Sequence, residues 1–400
     1  MTIKNNIPAG YKDSAVGIIP QEWEVTPLGK LVSITSGESP SLYNLRSSGK
    51  YPYVKVEDMN NCEKYQTLSR KYSNDEKGVI PKGSIIFPKR GAAIINNKVR
   101  IADCALYMDS NMMAITPNEY ACGDWLYFKI TFEQLYKIAD ASTIPQINNK
   151  HIIPYKLAVP PMEEQRKIAE ILGVWDEAIE KQSRLIERLE VRKRALMQRL
   201  LTGRTRLPGF TTPWQKVKLG EIFKERNETK CEHLPLLSIT ADRGVILQSE
   251  SDKKDTSNDD KSKYKRIGPN DIGYNTMRMW QGRSALSAME GIVSPAYTIV
   301  TPKAEVDPLF ISELIKQPRA VYDFWTHSQG LVGDTLNCKF HDFSQVKVAI
   351  PSLPEQKAIA EVLTAADNEI ATHRKKLDTL RLQKRGLMQQ LLTGKTRVKI

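Results

Sequence analysis

Hydrophobic positions recur at alternating steps of four and three residues in two stretches of the chain. In the first stretch these positions are Ile168, Leu172, Trp175, Ile179, Gln182, Ile186, Leu189, Lys193, Leu196 and Leu200. In the second they are Ile359, Leu363, Ala366, Ile370, His373, Leu377, Leu380, Lys384, Leu387 and Leu391. This spacing over about five heptads is typical of coiled-coil helices. Prolines precede both stretches and Gly203 or Gly394 follows, so each predicts a helix of about 39 residues, about 58 Å long.

The two stretches are copies of one another. Residues 160–207 and 351–398 align without a gap at an offset of 191, with 21 identities in 48 positions. The same offset aligns three further residues, Trp23, Leu28 and Gly29, with Trp214, Leu219 and Gly220. The chain therefore consists of two half-repeats, each a variable region followed by a long helix.

Polar residues interrupt both hydrophobic seams at matching places, Gln182 with His373 and Lys193 with Lys384. In a coiled coil such residues can specify the register of the two helices at some cost in stability. The alternative is that the seam opens to solvent there, and the sequence alone does not decide between the two.

Charge changes sign along each helix. Residues 160–183 carry a net charge of −3 and residues 184–206 one of +6, while residues 351–373 carry −3 and residues 374–399 carry +8. An antiparallel pair places the acidic half of one helix beside the basic half of the other, whereas a parallel pair places like charges together. We therefore expect antiparallel helices, with the two variable regions at opposite ends and a pseudo-twofold axis between them.

The variable regions, residues 1–159 (the first head) and 208–350 (the second head), contain short apolar runs bounded by turn residues. Residues 82–103, 155–160 and 290–300 are typical of strands and loops, and residues 125–139 and 308–317 of helices. The polar, charge-balanced run 251–266 predicts an exposed loop. The fold class expected is α+β, with two α/β heads separated by two long antiparallel coiled-coil helices.

The composition favours a polyanionic partner. Lys and Arg total 59 against 46 Asp and Glu, which gives a net charge of +13. Nucleic acid is the first candidate, although the two helix ends, at +6 and +8, account for the whole of this excess. No apolar run approaches the length of a membrane-spanning helix, and the first residues do not resemble a secretory signal. Five cysteines without a CxxC pair favour a reducing, cytoplasmic setting.

Catalytic motifs are not found in the sequence. Residues 394–396, Gly-Lys-Thr, match the end of a Walker A motif, but Gln389 stands where its first glycine is required. Cys231 and His233 lack the second pair of ligands that a zinc finger needs. A nuclease or methyltransferase with its own active site is therefore disfavoured, and no metal site is expected.

The repeated motifs resemble those of a known family. EQRKIAEILGVWD (164–176) and EQKAIAEVLTAAD (355–367), each followed by LLTG(R/K)TR, are similar to the conserved regions of type I restriction–modification specificity (S) subunits. The openings of the heads, residues 11–29 and 207–223, resemble the start of that family's target-recognition domains. Segments 271–282 and 291–300 resemble strands of one such domain.

The resemblance implies a non-catalytic subunit that reads a bipartite sequence in double-stranded DNA. It implies target-recognition domains at 1–159 and 208–350, and conserved helices at 160–207 and 351–400 that set the spacer between half-sites. Two methyltransferase (M) subunits would dock on the helices, and restriction (R) subunits would join them. Cofactors would belong to those partners: S-adenosylmethionine, ATP and Mg²⁺, with none in this chain. A coiled-coil protein adaptor without DNA specificity is the alternative.

Candidate DNA contacts are polar and basic residues on predicted loops, because such side chains read base edges and phosphates. In the first head they are Lys89, Arg90, Asn96, Asn97, Lys98 and Arg100. In the second head they are Lys263, Lys265, Arg266, Tyr274, Arg278, Gln281 and Arg283. For each residue taken singly, ordinary solvated surface is favoured over a DNA contact, and for Trp280 between them a core position is favoured over base stacking.

Overall fold

The computed structural model describes residues 7–140, 144–240, 243–251, 255, 257–330 and 335–400. The chain divides into two compact units. The first unit comprises Met1–Ser183 with Lys376–Ile400, and the second comprises Arg184–Lys375. Each unit therefore contains one head, together with the half of each long helix that packs against it.

The first head is a mixed α/β structure built around a five-stranded sheet of order β4-β11-β8-β9-β6. Its strands are β1 (Tyr11–Lys12), β2 (Ile19–Pro20), β3 (Glu24–Pro27), β4 (Val32–Ser36), β5 (Tyr51–Val54), β6 (Tyr65–Gln66), β7 (Tyr72–Ser73), β8 (Ile85–Pro88), β9 (Arg100–Ala102), β10 (Tyr107–Met108), β11 (Met112–Pro117) and β12 (Lys156–Val159). Its helices are α1 (Ala92–Ile95), α2 (Gly123–Glu133), α3 (Leu135–Ile138) and α4 (Asn149–Ile152), and the long helix α5 (Met162–Leu200) follows. Strands β3 and β12 pair antiparallel and so join the beginning of the head to the strand that enters α5.

The second head is built around a four-stranded sheet of order β14-β21-β18-β19. Its strands are β13 (Gln215–Lys218), β14 (Phe223–Arg226), β15 (Leu237–Ile239), β16 (Val245–Leu247), β17 (Lys265–Ile267), β18 (Ile272–Asn275), β19 (Ser284–Leu286), β20 (Gly291–Val293), β21 (Tyr297–Pro302) and β22 (Lys347–Ile350). Its helices are α6 (Leu219–Ile222), α7 (Pro308–Leu314), α8 (Pro318–His327) and α9 (Phe340–Gln345), and the long helix α10 (Leu353–Leu392) follows. The predicted strands and helices are confirmed, with two exceptions: residues 82–103 also contain the one-turn helix α1, and the predicted loop 251–266 ends in β17.

The two heads share one topology, although their sequences have little in common. In the first, β4 pairs with β11, β11 with β8 and β8 with β9, and all three pairings are antiparallel. In the second, β14, β21, β18 and β19 follow one another in the same order and sense. The repeat therefore extends through the heads, where different side chains fill equivalent strands.

Both long helices form as predicted, with 39 and 40 residues. Their seam residues are buried or partly buried along the whole length. In the first unit Asp176 of α5 pairs with Lys384 of α10. In the second unit Lys193 of α5 pairs with Asp367 of α10 at 2.7 Å. Glu164 at the start of α5 also meets Arg397, just beyond the end of α10, in the first unit, and Glu190 of α5 meets Arg374 of α10 at 2.6 Å in the second. Within each unit, then, the later of two residues in α5 meets the earlier residue on the α10 side, so the packed helix halves are antiparallel, as their charges predict.

The same two ion pairs account for the lysines in the hydrophobic seams. Lys384 is largely buried, and its ammonium group also lies 5.0 Å from the ring centre of Phe128. Lys193 occupies the equivalent place in the second unit. At these positions the seam is closed by a cross-helix ion pair, which favours a role in helix register over an opening to solvent.

Each unit has a large apolar core shared between its head and the long helices. In the first unit Trp125 and Phe128 of the head pack in one cluster with Leu172 of α5 and Leu391 of α10. In the second unit Phe310 packs in a cluster with Leu200 of α5, Leu363 of α10 and neighbouring residues. The helices therefore serve as one wall of each head's core, and this position fixes each sheet against a helix.

Candidate nucleic-acid interface

The first head presents a turn, residues 89–99, between strands β8 and β9. Its backbone is held at the beginning of the turn, because the Lys89 amide donates to the Asn111 carbonyl at 2.8 Å and the Lys89 carbonyl accepts from the Ile147 amide at 3.0 Å. Gly91 adopts a φ of +78°, which lets the chain enter the one-turn helix α1. Arg90 and Asn96 project from this frame into solvent. Partial burial and the neighbouring Arg90 guanidinium lower the pKa of Lys89, as expected where cations are concentrated.

Three other predicted residues, two in this turn and Arg100 at the start of β9, hold the turn together. The Asn97 amide donates to the Thr131 carbonyl at 2.8 Å and accepts from the Leu135 amide at 2.9 Å. The Arg100 guanidinium donates to the backbone carbonyls of residues 59, 62 and 99. Lys98 donates to the Asn60 side chain at 2.6 Å. These side chains shape the turn, and Arg90 and Asn96 remain its exposed polar groups, with Lys89 half-buried beside them.

The second head presents a turn, residues 276–283, between strands β18 and β19. It contains a 3₁₀ turn, Met279–Gln281, closed by Gly282 in the left-handed region at a φ of +73°. The Trp280 indole nitrogen donates to the Met277 carbonyl at 3.0 Å, so this half-buried ring braces the turn. The exposed polar side chains of the turn are Arg278, Gln281 and Arg283.

The prediction that Tyr274 contacts DNA is wrong. Its ring is fully buried and stacks on Phe343, with 5.0 Å between ring centres. Burial raises the pKa of its hydroxyl well above the usual value. A side chain in this position cannot contact DNA, and its role is to support the strand from which the second turn emerges.

The basic residues of the run 251–266 divide into two kinds. Residues 252–254 and 256 of this run lie outside the described part of the chain. Lys263 is exposed, whereas Lys265 and Arg266 belong to strand β17, not to a loop. Arg266 is paired with Glu228 at 2.5 Å and with Glu290 at 2.6 Å. Its charge is therefore neutralised within the head, which makes Arg266 a poor candidate for a phosphate contact.

The two turns occupy the same place in their sheets. Strands β8 and β18 are each the third strand along the shared order, and both turns connect them to the fourth. The two clusters of candidate residues were predicted in unrelated sequence contexts, and no sequence pattern indicated that they correspond. This correspondence is the geometric reason for treating the turns as one kind of site, present once in each head.

A second feature of each unit was missed by the sequence reasoning. Glu164, at the start of α5, is fully buried and accepts two hydrogen bonds from the Arg397 guanidinium, at 2.8 and 3.0 Å. Glu355, at the start of α10, accepts two from Arg206, at 2.5 and 2.6 Å. The only sequence signal for these pairs was that both partners recur at the offset of 191.

The glutamine beside each glutamate ties the helix to its head. Gln165 accepts from the Cys122 amide at 2.8 Å and donates to the Pro160 carbonyl at 3.0 Å. Gln356 makes the equivalent bonds to Asp307 and Pro351, each at 2.9 Å. The Glu-Gln motif thus orients each head on its helix and, through the arginine, on the end of the other half-repeat.

The Gly-Lys-Thr sequence at residues 394–396, which matches the end of a Walker A motif, has a structural explanation. Gly394 has a φ of +72° just after α10 ends, so the Gly-Lys-Thr sequence is a helix cap. Within the described ranges no group of three His, Cys, Asp or Glu residues could hold a metal ion. No helix in the same ranges is long and apolar enough to cross a membrane.

Known proteins that this chain resembles in sequence and in structure come from type I restriction–modification systems. A family model described as "Type I restriction modification DNA specificity domain" matches residues 20–191 and 300–382. The MjaVIII type I restriction enzyme specificity subunit of Methanocaldococcus jannaschii is 24% identical over 95% of this chain and 94% of its own. The type I restriction–modification S subunit from M. genitalium covers 100% of this chain and 99% of its own, with a TM-score of 0.55 at 16% identity. A chain from a study of type I R-M complex assembly covers 94% of this chain and 99% of its own, with a TM-score of 0.60 at 16% identity.

Proposed function

This chain belongs to the type I restriction–modification DNA specificity family, and from that membership we propose that each head reads one half of a bipartite DNA target through its turn. The chain is a specificity subunit, a DNA-recognition component without catalytic chemistry of its own. In our proposal residues 1–159 and 208–350 are the target-recognition domains, and residues 160–207 and 351–400 are the conserved helical segments that link them.

The observation that carries this proposal is the pair of equivalent turns with exposed arginine and amide groups. Arg90 and Asn96 lie on the first turn, and Arg278, Gln281 and Arg283 on the second. Arginine pairs in bidentate fashion with guanine, and asparagine or glutamine with adenine, in the major groove. Each head therefore offers the side chains that distinguish both kinds of purine, on a backbone that is already ordered.

The remaining exposed or half-exposed cations serve affinity. Lys89, Lys263 and Lys265 are suited to phosphates, where a lysine adds binding energy without reading sequence. Asn97, Lys98, Arg100 and Arg266 act indirectly, because their hydrogen bonds and ion pairs shape the surface from within.

We also propose the partners. The subunit assembles in the cytoplasm with methyltransferase subunits, two per chain, and with restriction subunits. Those partners supply the chemistry that uses S-adenosylmethionine, ATP and Mg²⁺. This part of the proposal rests on the family resemblance, and the exposed faces of α5 and α10 are available for such docking.

The test begins with the DNA target. Methylation sequencing of the host genome should reveal a bipartite methyl-adenine motif that disappears when this gene is deleted. A duplex carrying that motif is then titrated with the full chain in a gel shift. Arg90→Ala and Arg278→Ala should each weaken binding about 5- to 150-fold, since one bidentate contact is worth about 1–3 kcal/mol.

The two variants should also differ in which part of the DNA target they no longer discriminate. Each should lose discrimination in one half of the target only, because the turns belong to different heads. Lys82→Ala is the matched control, since this exposed lysine precedes β8 and so lies at the far end of that strand from the first turn. Unchanged affinity in both arginine variants would remove the turns from the DNA interface.

A further inference from the structure

Helix α8 of the second head carries two large aromatic side chains on its outer surface. Tyr322 is 54% exposed and Trp325 is 50% exposed, and their ring centres lie 5.7 Å apart. On the opposite side of the helix Ala320 and Phe324 are buried in the core. Adjacent exposed aromatic rings are a more informative observation than single exposed apolar residues, because they form a patch.

The patch borders the second turn. Helix α8 packs against the 3₁₀ turn, and a Cβ atom at Gly282 would lie 3.0 Å from the Val321 side chain. At 100° per residue, Trp325 is displaced by only about 40° from Val321 around the helix. The exposed tryptophan is therefore next to the helix face that supports Arg278 and Gln281.

Positive charge beside the patch comes from the neighbouring turn, because Asp323 offsets the charge of Arg319 on α8 itself. The Arg319 guanidinium lies 5.9 Å from the ring centre of Tyr322 and also pairs with Asp323 at 3.2 Å. Arg278 and Arg283 on the neighbouring turn are exposed. Exposed aromatic rings beside arginine suit duplex DNA, whose surface offers phosphates together with sugars and base edges.

A similar arrangement recurs in the first head. Helix α3 follows α2 as α8 follows α7, and its Tyr136 is 48% exposed. The residue before it, Leu135, donates its amide to Asn97 of the first turn at 2.9 Å. In both heads, then, an exposed aromatic residue lies on the helix that supports the candidate turn, although the two sequences differ.

We propose that Tyr322 and Trp325, with Tyr136 as their counterpart in the first head, form a second DNA-contact surface beside each turn. The rings pack against the deoxyribose and base edges of the duplex that the turns engage. This inference rests on the proposed function, and the occupant to which it commits is DNA. A protein subunit seated on the patch is the competing outcome.

Tryptophan fluorescence gives a direct measurement. All six tryptophans lie in the described part of the chain, and Trp325 is the single exposed one. Acrylamide quenching of the full chain, minus that of Trp325→Phe, therefore reports on this residue. The probe is a saturating 40-base-pair duplex pool of random sequence, with binding verified by gel shift on the same samples. DNA should remove at least half of the quenching that depends on Trp325.

Affinity supplies the second readout. The double variant Tyr322→Ala/Trp325→Ala should bind the same pool at least about 5-fold more weakly, because losing the apolar area that two large aromatic rings bury against DNA costs about 1 kcal/mol or more. Val174→Ala is the control, because this residue of α5 is 63% exposed and far in sequence from both turns. Both variants remove exposed side chains and should keep the wild-type circular dichroism spectrum and melting temperature.

The outcomes separate the two proposals. Bound DNA with unchanged quenching of Trp325 would overturn the contact surface and leave the function of the turns intact. No gel shift by the wild-type chain would overturn both. Protection of Trp325 by purified methyltransferase subunits, in the absence of DNA, would assign the patch to a protein partner and refute the inference.

Discussion

Substituting Arg397 by alanine leaves a carboxylate buried without its counter-charge. Glu164 is fully buried and receives three hydrogen bonds, two from Arg397 and one from the Trp23 indole at 2.9 Å. The substitution removes the two charged donors and leaves the indole. It also releases the exposed Glu22, which adds little because solvent screens that pair.

The expected cost follows from the burial of the carboxylate. Breaking a fully buried ion pair by removing one partner costs about 3–5 kcal/mol. The Arg397 side chain is 33% exposed, so water can enter where it leaves, and we expect about 2–3 kcal/mol. For a unit of about 200 residues this corresponds to a fall in melting temperature of about 4–12 °C.

The second unit provides an internal comparison. Glu355 is equally buried and accepts its side-chain bonds from Arg206, while the indole nitrogen of Trp214 has no partner in the described part of the chain. Arg206→Ala should therefore destabilise the second unit more than Arg397→Ala destabilises the first, since no other side-chain donor to this carboxylate is found among the described residues.

Hydrogen exchange followed by mass spectrometry, together with thermal unfolding, tests this reasoning in the full chain. Arg397→Ala should lose protection in peptides of the first unit, and Arg206→Ala in those of the second. Adding Glu164→Gln to Arg397→Ala should recover part of the loss, because a neutral amide needs no counter-charge. A melting temperature lowered by less than 2 °C, or no recovery in the double variant, would refute the account.

The remaining predictions concern the long helices. Lys193→Asp should destabilise the second unit by about 0.5–1 kcal/mol through repulsion from Asp367, and Lys193→Asp/Asp367→Lys should restore at least half, measured by urea unfolding. Full stability in the single variant would contradict a role of this pair. Four residues inserted in the middle of α5 shift its second half by about 6 Å and 40°. Binding to the unaltered target should then fail in a gel shift, while both heads keep their protection from hydrogen exchange. Retained binding would refute the proposal that the long helices set the spacing between the two half-sites.

Much of the architecture follows from local sequence. Heptad spacing specifies long helices because an apolar stripe every three to four residues can be buried only by a helix with a partner. The reversal of charge along α5 and α10 selects the antiparallel orientation, and Asp176 with Lys384 and Asp367 with Lys193 show that pairing within each unit. The offset repeat identifies the family, since its motifs stand twice in one chain.

The candidate site could be predicted only in part from the sequence. Tyr274 and Arg278 are four residues apart and both polar, yet one is buried against Phe343 and the other is exposed. What separates them is the end of strand β18, where the chain leaves the sheet. Turn composition predicts where such a turn falls, but not which of its side chains the sheet will cover.

By itself, then, the sequence determined the two half-repeats, the long helices with their orientation, and the membership of the family. Only the tertiary structure decided that the two turns are equivalent, that Arg266 is neutralised by Glu228 and Glu290, and that Glu164 meets Arg397. Heptad spacing of apolar residues and runs of like charge act over a few turns of helix, and both can be recognised in residues that are close in sequence. Burial and ion pairing depend on residues tens to hundreds of positions apart, which come together only when the sheet and the helices pack.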